Sequence, residues 1–248
     1  MGIIKSKSQI KNIKYAAKIV GEVLERLKDI VKEGVTSLEI DSFVEKYIRR
    51  KGGRPAFKGW YGYPNASCIS INSAVIHGIP DDTVIKSGDL VSVDIGVEWK
   101  EGFGDSAYTY LVGDVSDEVK QLARITEESL YKAIEQSVVN NRIGDIGNTV
   151  QEYVKPYNYG IVKEYCGHGI GETLWEEPQI PNYGRKGRGK RLKANQSICI
   201  EPMINLGTGE IYVKDDGWTV VTKDGKPSAH YEHQLLITDN GPEILSKP

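Results

Sequence analysis

The sequence predicts an α+β fold built as one domain over residues 1–248. Two amphipathic helical patterns precede a group of short β-rich runs, and the same order then occurs a second time. The repeat divides near Val115, and no Pro- or Ser-rich linker separates residues 1–115 from residues 116–248. We therefore expect an internal duplication that forms one pseudo-symmetric domain rather than two independent ones.

Two helices are predicted at the start of the first half. Apolar residues recur every three or four positions through residues 10–31, and Gly34 supplies a stop. Thr36 and Glu39 form a capping box that opens the second helix, which a pair of glycines ends. Residues 57–64 are rich in aromatic side chains and glycine, which is typical of a loop.

Strands follow this loop at residues 67–72, 90–97 and 105–111, and turn residues at 100–102 join the last two. In the second half Ser116 begins a third helix, and a fourth covers about residues 146–154. The remaining strands are predicted at residues 161–166, 197–204, 211–213, 218–222 and 230–238.

The composition excludes several classes of protein. A net charge of −2 argues against nucleic acid or an anionic membrane as the main partner. No apolar run approaches the roughly 20 residues that cross a bilayer, and lysines interrupt the first residues where a signal peptide needs an apolar stretch. The three cysteines have neither disulfide-framework nor zinc-knuckle spacing. We expect a cytoplasmic protein with no membrane and no specific DNA partner.

Acidic residues interrupt the predicted strands of the first half. Alternation along residues 90–97 places Asp94 on the face opposite the valines, and Asp105 opens the next strand. If the turn pairs these strands, the two carboxylates become near neighbours. Like charges so placed destabilise a sheet unless a proton or a bound cation neutralises them.

The second half presents the same arrangement. Glu201 ends an apolar strand, Glu232 lies within another, and His168 lies between glycines that permit close approach of other groups. Buried acids are far less costly around a divalent metal. Together with Asp94 and Asp105 they suit two divalent ions, with Mn, Fe, Co or Zn all compatible. From chemistry alone, unrelated surface acids stay an open alternative.

Around these residues the chain resembles the methionine aminopeptidases of type I, the short bacterial form, over nearly all of its length. The resemblance implies the pita-bread fold, a pseudo-two-fold antiparallel sheet with helices packed on its outer face. The segments that carry it are Ala74 to Pro80, Val91 to Gly96, Gly104-Asp105, Cys166 to Gly171, Ile200 to Met203, Lys214 to Trp218 and Tyr231 to His233.

The resemblance also implies a ligand set and a reaction. Asp94, Asp105 and Glu232 hold one ion, and Asp105, His168, Glu201 and Glu232 hold the other. A hydroxide between the ions attacks the carbonyl that follows an N-terminal methionine. Glu201 acts as general acid and base.

The remaining site residues implied by the resemblance bind substrate. His77 hydrogen-bonds the nitrogen of the scissile bond. An apolar pocket suits the long, unbranched side chain of methionine. Trp60 stands where the family usually has tyrosine. The matching pocket positions are Trp60, Tyr63, Cys68, Leu174 and Trp218.

One position departs from the family pattern. Trp175 stands seven residues after His168, where the family normally has a second active-site histidine. An indole can donate a hydrogen bond but cannot carry charge or transfer a proton. A weakened or non-catalytic peptide-binding protein is therefore the alternative function. A third, a prolidase-like or aminopeptidase P-like enzyme, is disfavoured because those usually have an extra N-terminal domain.

Three further sequence features are interpreted as structural or surface features without a role in the site. His233 alternates away from Glu232 and is expected to be structural, and Cys68 is expected to be a small buried apolar residue. The basic run Arg185–Lys193 is typical of a solvated loop, although an enzyme acting on nascent chains could contact ribosomal RNA there. Family members of this length are commonly monomers, so we expect a monomer.

Overall fold

The structure, a computed structural model, describes residues 4–247. It contains four α-helices, α1 (Lys7–Leu27), α2 (Ser37–Arg50), α3 (Asp117–Glu135) and α4 (Ile143–Val154). The strands of the first half are β1 (Arg54–Pro55), β2 (Ser67–Ile71), β3 (Ala74–Ile76), β4 (Leu90–Trp99) and β5 (Gly102–Leu111). Those of the second half are β6 (Gly160–Ile161), β7 (Gly167–Gly169), β8 (Glu176–Ile180), β9 (Ser197–Ile200), β10 (Met203–Asn205), β11 (Ile211–Val213), β12 (Val220–Thr222), β13 (Ser228–His230), β14 (His233–Thr238) and β15 (Gly241–Ile244).

Side-chain caps set the starts of three helices. The capping box predicted at Thr36 is confirmed, because the Thr36 hydroxyl accepts from the Glu39 amide and the Glu39 carboxylate accepts from the Thr36 amide. A second capping box, between Ser6 and Gln9, opens α1. Ser116 caps α3, as predicted. Each cap satisfies amides that a helix leaves without internal partners.

The first helix is shorter than its apolar pattern predicted. We expected it to reach about residue 31, but α1 ends at Leu27, and residues 28–31 form turns in which the Ile30 amide donates to the Leu27 carbonyl. Val31 nevertheless stays buried, with 7% of its surface exposed, and packs in the same core. Apolar periodicity reports burial, and here burial continues past the end of the helix.

All strand pairs among the described residues are antiparallel. β4 pairs with β5 along its whole length and with β2 and β1 on its other edge, which gives a four-stranded sheet. In the second half, β9 and β14 lie at the centre of a five-stranded sheet in the order β15-β14-β9-β7-β8. The Gln234 side chain of β14 accepts a hydrogen bond from the Asp105 amide of β5, so the two sheets meet at this point.

The predicted strand ends of the second half are partly wrong. Only the first residue of the run 161–166 lies in a strand, since β6 ends at Ile161. The run 197–204 is broken after Ile200 because Pro202 has no N–H to donate to a neighbouring strand. The run 230–238 is broken at residues 231–232. These breaks lie at Glu201 and Glu232, where the chain leaves regular pairing. The short strands β1, β3, β7, β8 and β15 were not predicted.

Two main hydrophobic clusters cover the sheets. α1 and α2 pack with the fully buried valines of β4, which confirms the predicted alternation in that strand. α3 and α4 pack with β9, β10, β13 and β14. On this basis we propose that residues 1–115 and 116–248 are the two halves of one domain, although residues 1–3 and 248 lie outside the described chain. Within residues 4–247, no helix combines the length and the apolar character that crossing a bilayer requires.

Candidate active site

Four acidic side chains and one imidazole converge where the two halves meet. Asp94 and Asp105 lie on one face of the β4–β5 hairpin, since Asp94 pairs with Ala107, two residues beyond Asp105. Glu201 and Glu232 come from the two strand breaks of the second half.

His168 supplies the imidazole of this group. Its Nε2 lies 3.8 Å from Asp105 Oδ2 and 3.6 Å from Glu201 Oε1. These separations are too long for hydrogen bonds and suit atoms that share a small cation. One ligand atom each from Asp105, His168, Glu232 and Cys199 lies within 4.8 Å of all the others.

The main-chain contact of His168 fixes which ring nitrogen faces the acids. Its Nδ1 lies 2.9 Å from the Gly169 carbonyl oxygen, which can only accept, so Nδ1 carries the proton. Nε2 then presents a lone pair to the carboxylates, as a metal-binding imidazole requires. Burial lowers the pKa of His168 to about 4, so the ring is neutral at pH 7.

Glycines on both sides of His168 allow this strand to approach its neighbours. A Cβ at Gly167 would lie 2.3 Å from the Cys199 carbonyl oxygen, and a Cβ at Gly169 would lie 2.3 Å from that of Glu177. β7 therefore fits between β9 and β8 only with glycine at these positions, which confirms the close approach expected from the sequence.

The carboxylates are buried with oxygen atoms left unpaired. Asp105 and Glu232 are 3% and 2% exposed, and Glu201 keeps a small exposed fraction. Among residues 4–247, Asp94 Oδ1, Asp105 Oδ1 and Glu232 Oε1 have no hydrogen-bond partner although all three atoms are buried. Such atoms are rare because each one costs desolvation free energy. A bound divalent ion would satisfy them, so the residues present fit the ligand set of a metal centre.

The same burial changes the acidity of the group. It raises the pKa of Asp94 to about 7. Burial, together with neighbouring carboxylates, raises the pKa of Asp105, Glu201 and Glu232 well above the usual range. Four acids that resist ionisation this strongly would have to lose protons for a cation to bind, so ion uptake and proton release are coupled here.

Aromatic side chains form the walls of a cavity above the acids. One side of the cavity is formed by Asp94, Asp105, His168, Glu201 and Glu232. The walls include every predicted substrate residue except Leu174, namely Trp60, Tyr63, Cys68, His77, Trp175 and Trp218, together with Phe57. Leu174 is fully buried and packs behind this lining with Ile170.

Trp60 and Trp175 meet edge to face at the mouth of the cavity, with ring centroids 5.8 Å apart. Trp175 is 45% exposed, and its ring centroid lies 6.4 Å from that of His168. It also lines a second, wider groove that runs past His77 and Glu201. Trp175 thus lines both the cavity and the groove, as His77, His168 and Glu201 also do.

The loop that carries Trp175 is held by Glu176. This carboxylate accepts from the amides of Glu172 and Thr173 at 2.9 Å and 3.2 Å, and it pairs with the buried ammonium of Lys5. The Thr173 hydroxyl in turn donates to the Trp175 carbonyl. The tryptophan therefore stands on a loop whose backbone is fixed from both sides.

His77 is placed at the wall of the cavity by an uncommon backbone conformation. Its φ of 58° lies in the left-handed region, which a residue with a Cβ seldom adopts. Its ring packs edge-on against Tyr165 and Trp218. Burial lowers the pKa of His77 to about 4, so its imidazole is neutral at pH 7. Strained conformations of this kind cluster at functional positions.

Two residues beside the acids were missed in the sequence. Cys199 is fully buried and lies within the ligand group, and its alternation with Glu201 along β9 placed it on the same face. His230 is 1% exposed, and its Nε2 lies 3.7 Å from Glu201 Oε2. Alternation could also have indicated His230, because it precedes Glu232 by two residues.

His233, Cys68 and the basic run 185–193 have the surroundings expected of structural or surface residues. His233 is buried, with its ring nitrogens 3.2 Å from the Tyr131 hydroxyl and 3.1 Å from the Ser246 hydroxyl. Burial raises the pKa of the Cys68 thiol well above its usual value, as befits a small apolar wall residue. Within the basic run 185–193 every residue except Leu192 is exposed.

Comparison with known proteins identifies the family. A family model described as Metallopeptidase family M24 matches residues 11–239. The methionine aminopeptidase of Clostridium perfringens is 47% identical over 246 residues, which cover 99% of each chain. The crystal structure of methionine aminopeptidase from Thermotoga maritima has a TM-score of 0.98 and 42% identity, and it covers 100% of both chains.

More distant structures share the fold. The prolidase from Pyrococcus furiosus has a TM-score of 0.80 at 26% identity, and it covers 99% of this chain and 66% of that chain. The predicted α+β pita-bread fold is thereby confirmed. With a matching family model and a relative of high identity over almost its whole length, the chain belongs to metallopeptidase family M24, among the bacterial type I methionine aminopeptidases.

Proposed function

We propose that this enzyme removes the N-terminal methionine from nascent proteins and peptides that have a small second residue. The observation that carries the proposal is the group of buried, unpaired carboxylate oxygens at the floor of an aromatic cavity. Thioether and aromatic groups attract each other, so such walls favour methionine. Trp60 and Trp175 contact each other in the lining of the cavity and limit the room beside the methionine, which favours a small second residue.

Two divalent ions are the proposed cofactors, with Co, Mn, Fe or Zn as candidates. Asp94, Asp105 and Glu232 would hold one, and Asp105, His168, Glu201 and Glu232 would hold the other. When bound, such ions would supply a coordinated water molecule of lowered pKa and a Lewis acid for the substrate carbonyl.

The chain's own residues would then move the proton. Glu201 lies at the edge of both the cavity and the groove, so it can accept a proton on the acid side and deliver it to the leaving amine. His77 lines the same two spaces, and its neutral ring can hydrogen-bond the nitrogen of the scissile bond. Both side chains are partly buried, which limits the access of water to the proton transfer.

A release assay tests the function. The purified protein, incubated with Mn²⁺ or Co²⁺ and the peptide Met-Ala-Ser, should liberate free methionine, whereas Leu-Ala-Ser should be cleaved far more slowly. Absence of methionine release with each of several metals, from protein shown to be folded by circular dichroism, would contradict the proposal.

A second candidate is a peptide-binding protein with weak or no turnover. Trp175 is the observation that favours this alternative. Its indole lies close to His168 and can neither transfer a proton nor carry charge. Loss of one donor to a developing oxyanion costs about 10²–10³ in turnover. Trp175→His tested beside the wild type separates the two functions: tight peptide binding without cleavage by the wild type, with cleavage by the variant, would favour the binding protein.

The proposed setting is the cytoplasm, with the enzyme acting as a monomer. Contact with ribosomal RNA through Arg185–Lys193 is a further proposal, supported by the exposure of that loop. Replacing four of its basic residues should weaken co-sedimentation with ribosomes at low salt while leaving methionine release from a tripeptide intact. Unchanged co-sedimentation would dismiss this contact.

A further inference from the structure

His230, at the end of β13, is held in place by the strands around it. Its backbone is fixed on both sides by Thr109. The His230 amide donates to the Thr109 hydroxyl at 3.2 Å, and that hydroxyl donates to the His230 carbonyl at 2.6 Å. β13 also pairs with β10, where His230 stands opposite Met203. The position of the imidazole is therefore determined by the surrounding sheet.

The ring of His230 points an unpaired nitrogen at Glu201. Its Nε2 is buried and has no hydrogen-bond partner in the part of the chain that the structure describes. The nearby acidic atom is Glu201 Oε2, at 3.7 Å. This distance exceeds a hydrogen bond by several tenths of an ångström, and catalytic hydrogen bonds are commonly long in free enzymes and tighten when substrate binds. Leaving a buried polar atom unpaired costs about 1–3 kcal/mol, which favours closure of this gap.

The two oxygens of Glu201 face different partners. Oε1 lies 3.6 Å from His168 Nε2, on the side of the ligand group, and Oε2 faces His230. His230 does not line the cavity or the groove, so it stands behind Glu201 rather than in contact with substrate. As a carboxylate, Glu201 can only accept, and an imidazole N–H is a fitting donor.

We propose that His230 is a positioning residue, which donates a hydrogen bond from Nε2 to Glu201 Oε2 and holds the other oxygen toward the ligand group. The inference rests on the proposed function for its catalytic consequence, but the contact itself involves only these two side chains. Donors that orient the ligands of a metal centre are typically worth 10–100-fold in metal affinity or activity.

The test compares three variants of the full-length enzyme. His230→Leu removes the donor at similar volume, whereas His230→Gln keeps an N–H donor of similar reach. His233→Leu is the matched control, because His233 is also buried and lies in the adjoining strand but contacts Tyr131 and Ser246 instead. Each is measured for kcat and KM with Met-Ala-Ser, for Mn²⁺ affinity by calorimetry without substrate, and for thermal unfolding in EDTA.

His230→Leu should lower kcat or Mn²⁺ affinity by roughly 10–100-fold with KM changed little. His230→Gln should recover most of this loss, and His233→Leu should lower the unfolding temperature without a comparable loss in either property. Wild-type kcat and Mn²⁺ affinity in His230→Leu would overturn the proposal. So would an equal loss in His230→Gln, since that pattern indicates an imidazole that binds metal itself or only packs.

If His230→Leu does not fold, His230→Asn is used in its place, because the asparagine amide is too short to reach Glu201. A loss in His230→Asn that His230→Gln recovers supports the proposal, and wild-type kcat and Mn²⁺ affinity in His230→Asn overturn it. Failure of the proposed function is recognised separately. In that case the wild type releases no methionine, while the Mn²⁺ titrations of the variants still decide whether His230 orients Glu201.

Discussion

The buried carboxylate of Asp41 and the buried carboxylates of the ligand group (Asp94, Asp105, Glu201 and Glu232) have opposite surroundings. Asp41 of α2 is 4% exposed, and its Oδ1 accepts three hydrogen bonds, from the amides of Ala66 and Ser67 and from the Ser67 hydroxyl. Its Oδ2 accepts from the Asn65 side chain. In the ligand group, by contrast, Asp105 and Glu232 are equally buried but each keeps an oxygen that accepts no hydrogen bond from any described residue.

The comparison separates structural acids from ligand acids. A buried carboxylate that is fully hydrogen-bonded ties secondary structure together, as Asp41 joins α2 to the start of β2. A buried carboxylate without donors destabilises the fold unless something else satisfies it. Burial alone therefore does not mark a functional acid, whereas burial with unpaired oxygens does.

The largest effect is expected from Glu201→Gln. The amide cannot accept and deliver a proton, so methionine release should fall by roughly 10²–10⁴-fold. Because the amide is neutral, the unfolding temperature in EDTA should stay the same or rise. Steady-state release of methionine and thermal unfolding measure the two properties. A variant that keeps its activity, or one that loses stability in EDTA, would remove Glu201 from the ligand acids.

The opposite pattern is expected from Asp41→Ala. It leaves four donors of residues 65–67 without an acceptor in a buried position. The free energy of unfolding should fall by about 3 kcal/mol, and the unfolding temperature by roughly 6–12 °C. Methionine release, measured well below that temperature, should fall much less than in Glu201→Gln. Unfolding at the wild-type temperature would contradict the structural role.

The ligand acids also predict how pH changes the effect of metal. Burial raises the pKa of Asp94 from 3.8 to about 7. Its contribution to stability is therefore fully present below pH 4 and is lost as the pH rises through 7 in the metal-free protein. Bound ions need the ionised acids, so Mn²⁺ should raise the unfolding temperature more at about pH 7.5 than at about pH 5.5, by several degrees.

His233 provides a control for this pH dependence, because its contribution to stability changes over the same pH range but it is not a proposed ligand. His233 has a pKa lowered to about 4 by burial, so its contribution to stability is lost as the pH falls below its usual value of 6.5. That loss occurs with and without Mn²⁺ and cancels in the difference. An Mn²⁺ effect that is equal at both pH values, by differential scanning fluorimetry against EDTA, would show that the acids do not lose protons on binding.

The smallest effect is expected from an exposed acid. Glu25 pairs with Lys28 at 2.6 Å, and about half of each side chain is exposed. Water competes for such a pair, so Glu25→Gln should change the free energy of unfolding by less than about 0.5 kcal/mol. Urea unfolding of Glu25→Gln and of Asp41→Ala under the same conditions compares the two changes in the free energy of unfolding. A change as large as that of Asp41→Ala would show that exposure is a poor guide to what an acid contributes.

Local patterns predicted the helices well because helix signals are local. The caps at Thr36 and Ser116 and the apolar repeat of α1 depend on residues three or four positions apart. Strand ends were predicted less well. The break at Pro202 follows from its missing N–H, but the break at residues 231–232 depends on pairing with distant strands.

The sequence determined the types of element, the aromatic character of the cavity walls and, through the family resemblance, the proposed ligands and pocket residues. His230 and Cys199 were not predicted, although their two-residue spacing from Glu232 and Glu201 could have indicated them. The sequence did not indicate that Leu174 packs behind the cavity wall rather than lining it.

Only the tertiary structure decided which atoms stay unpaired and which ring nitrogen of His168 faces the acids. The reason is physical: whether a buried atom finds a partner depends on residues far along the chain, such as Asp105 and Gln234, which are 129 positions apart and meet only after both sheets have formed.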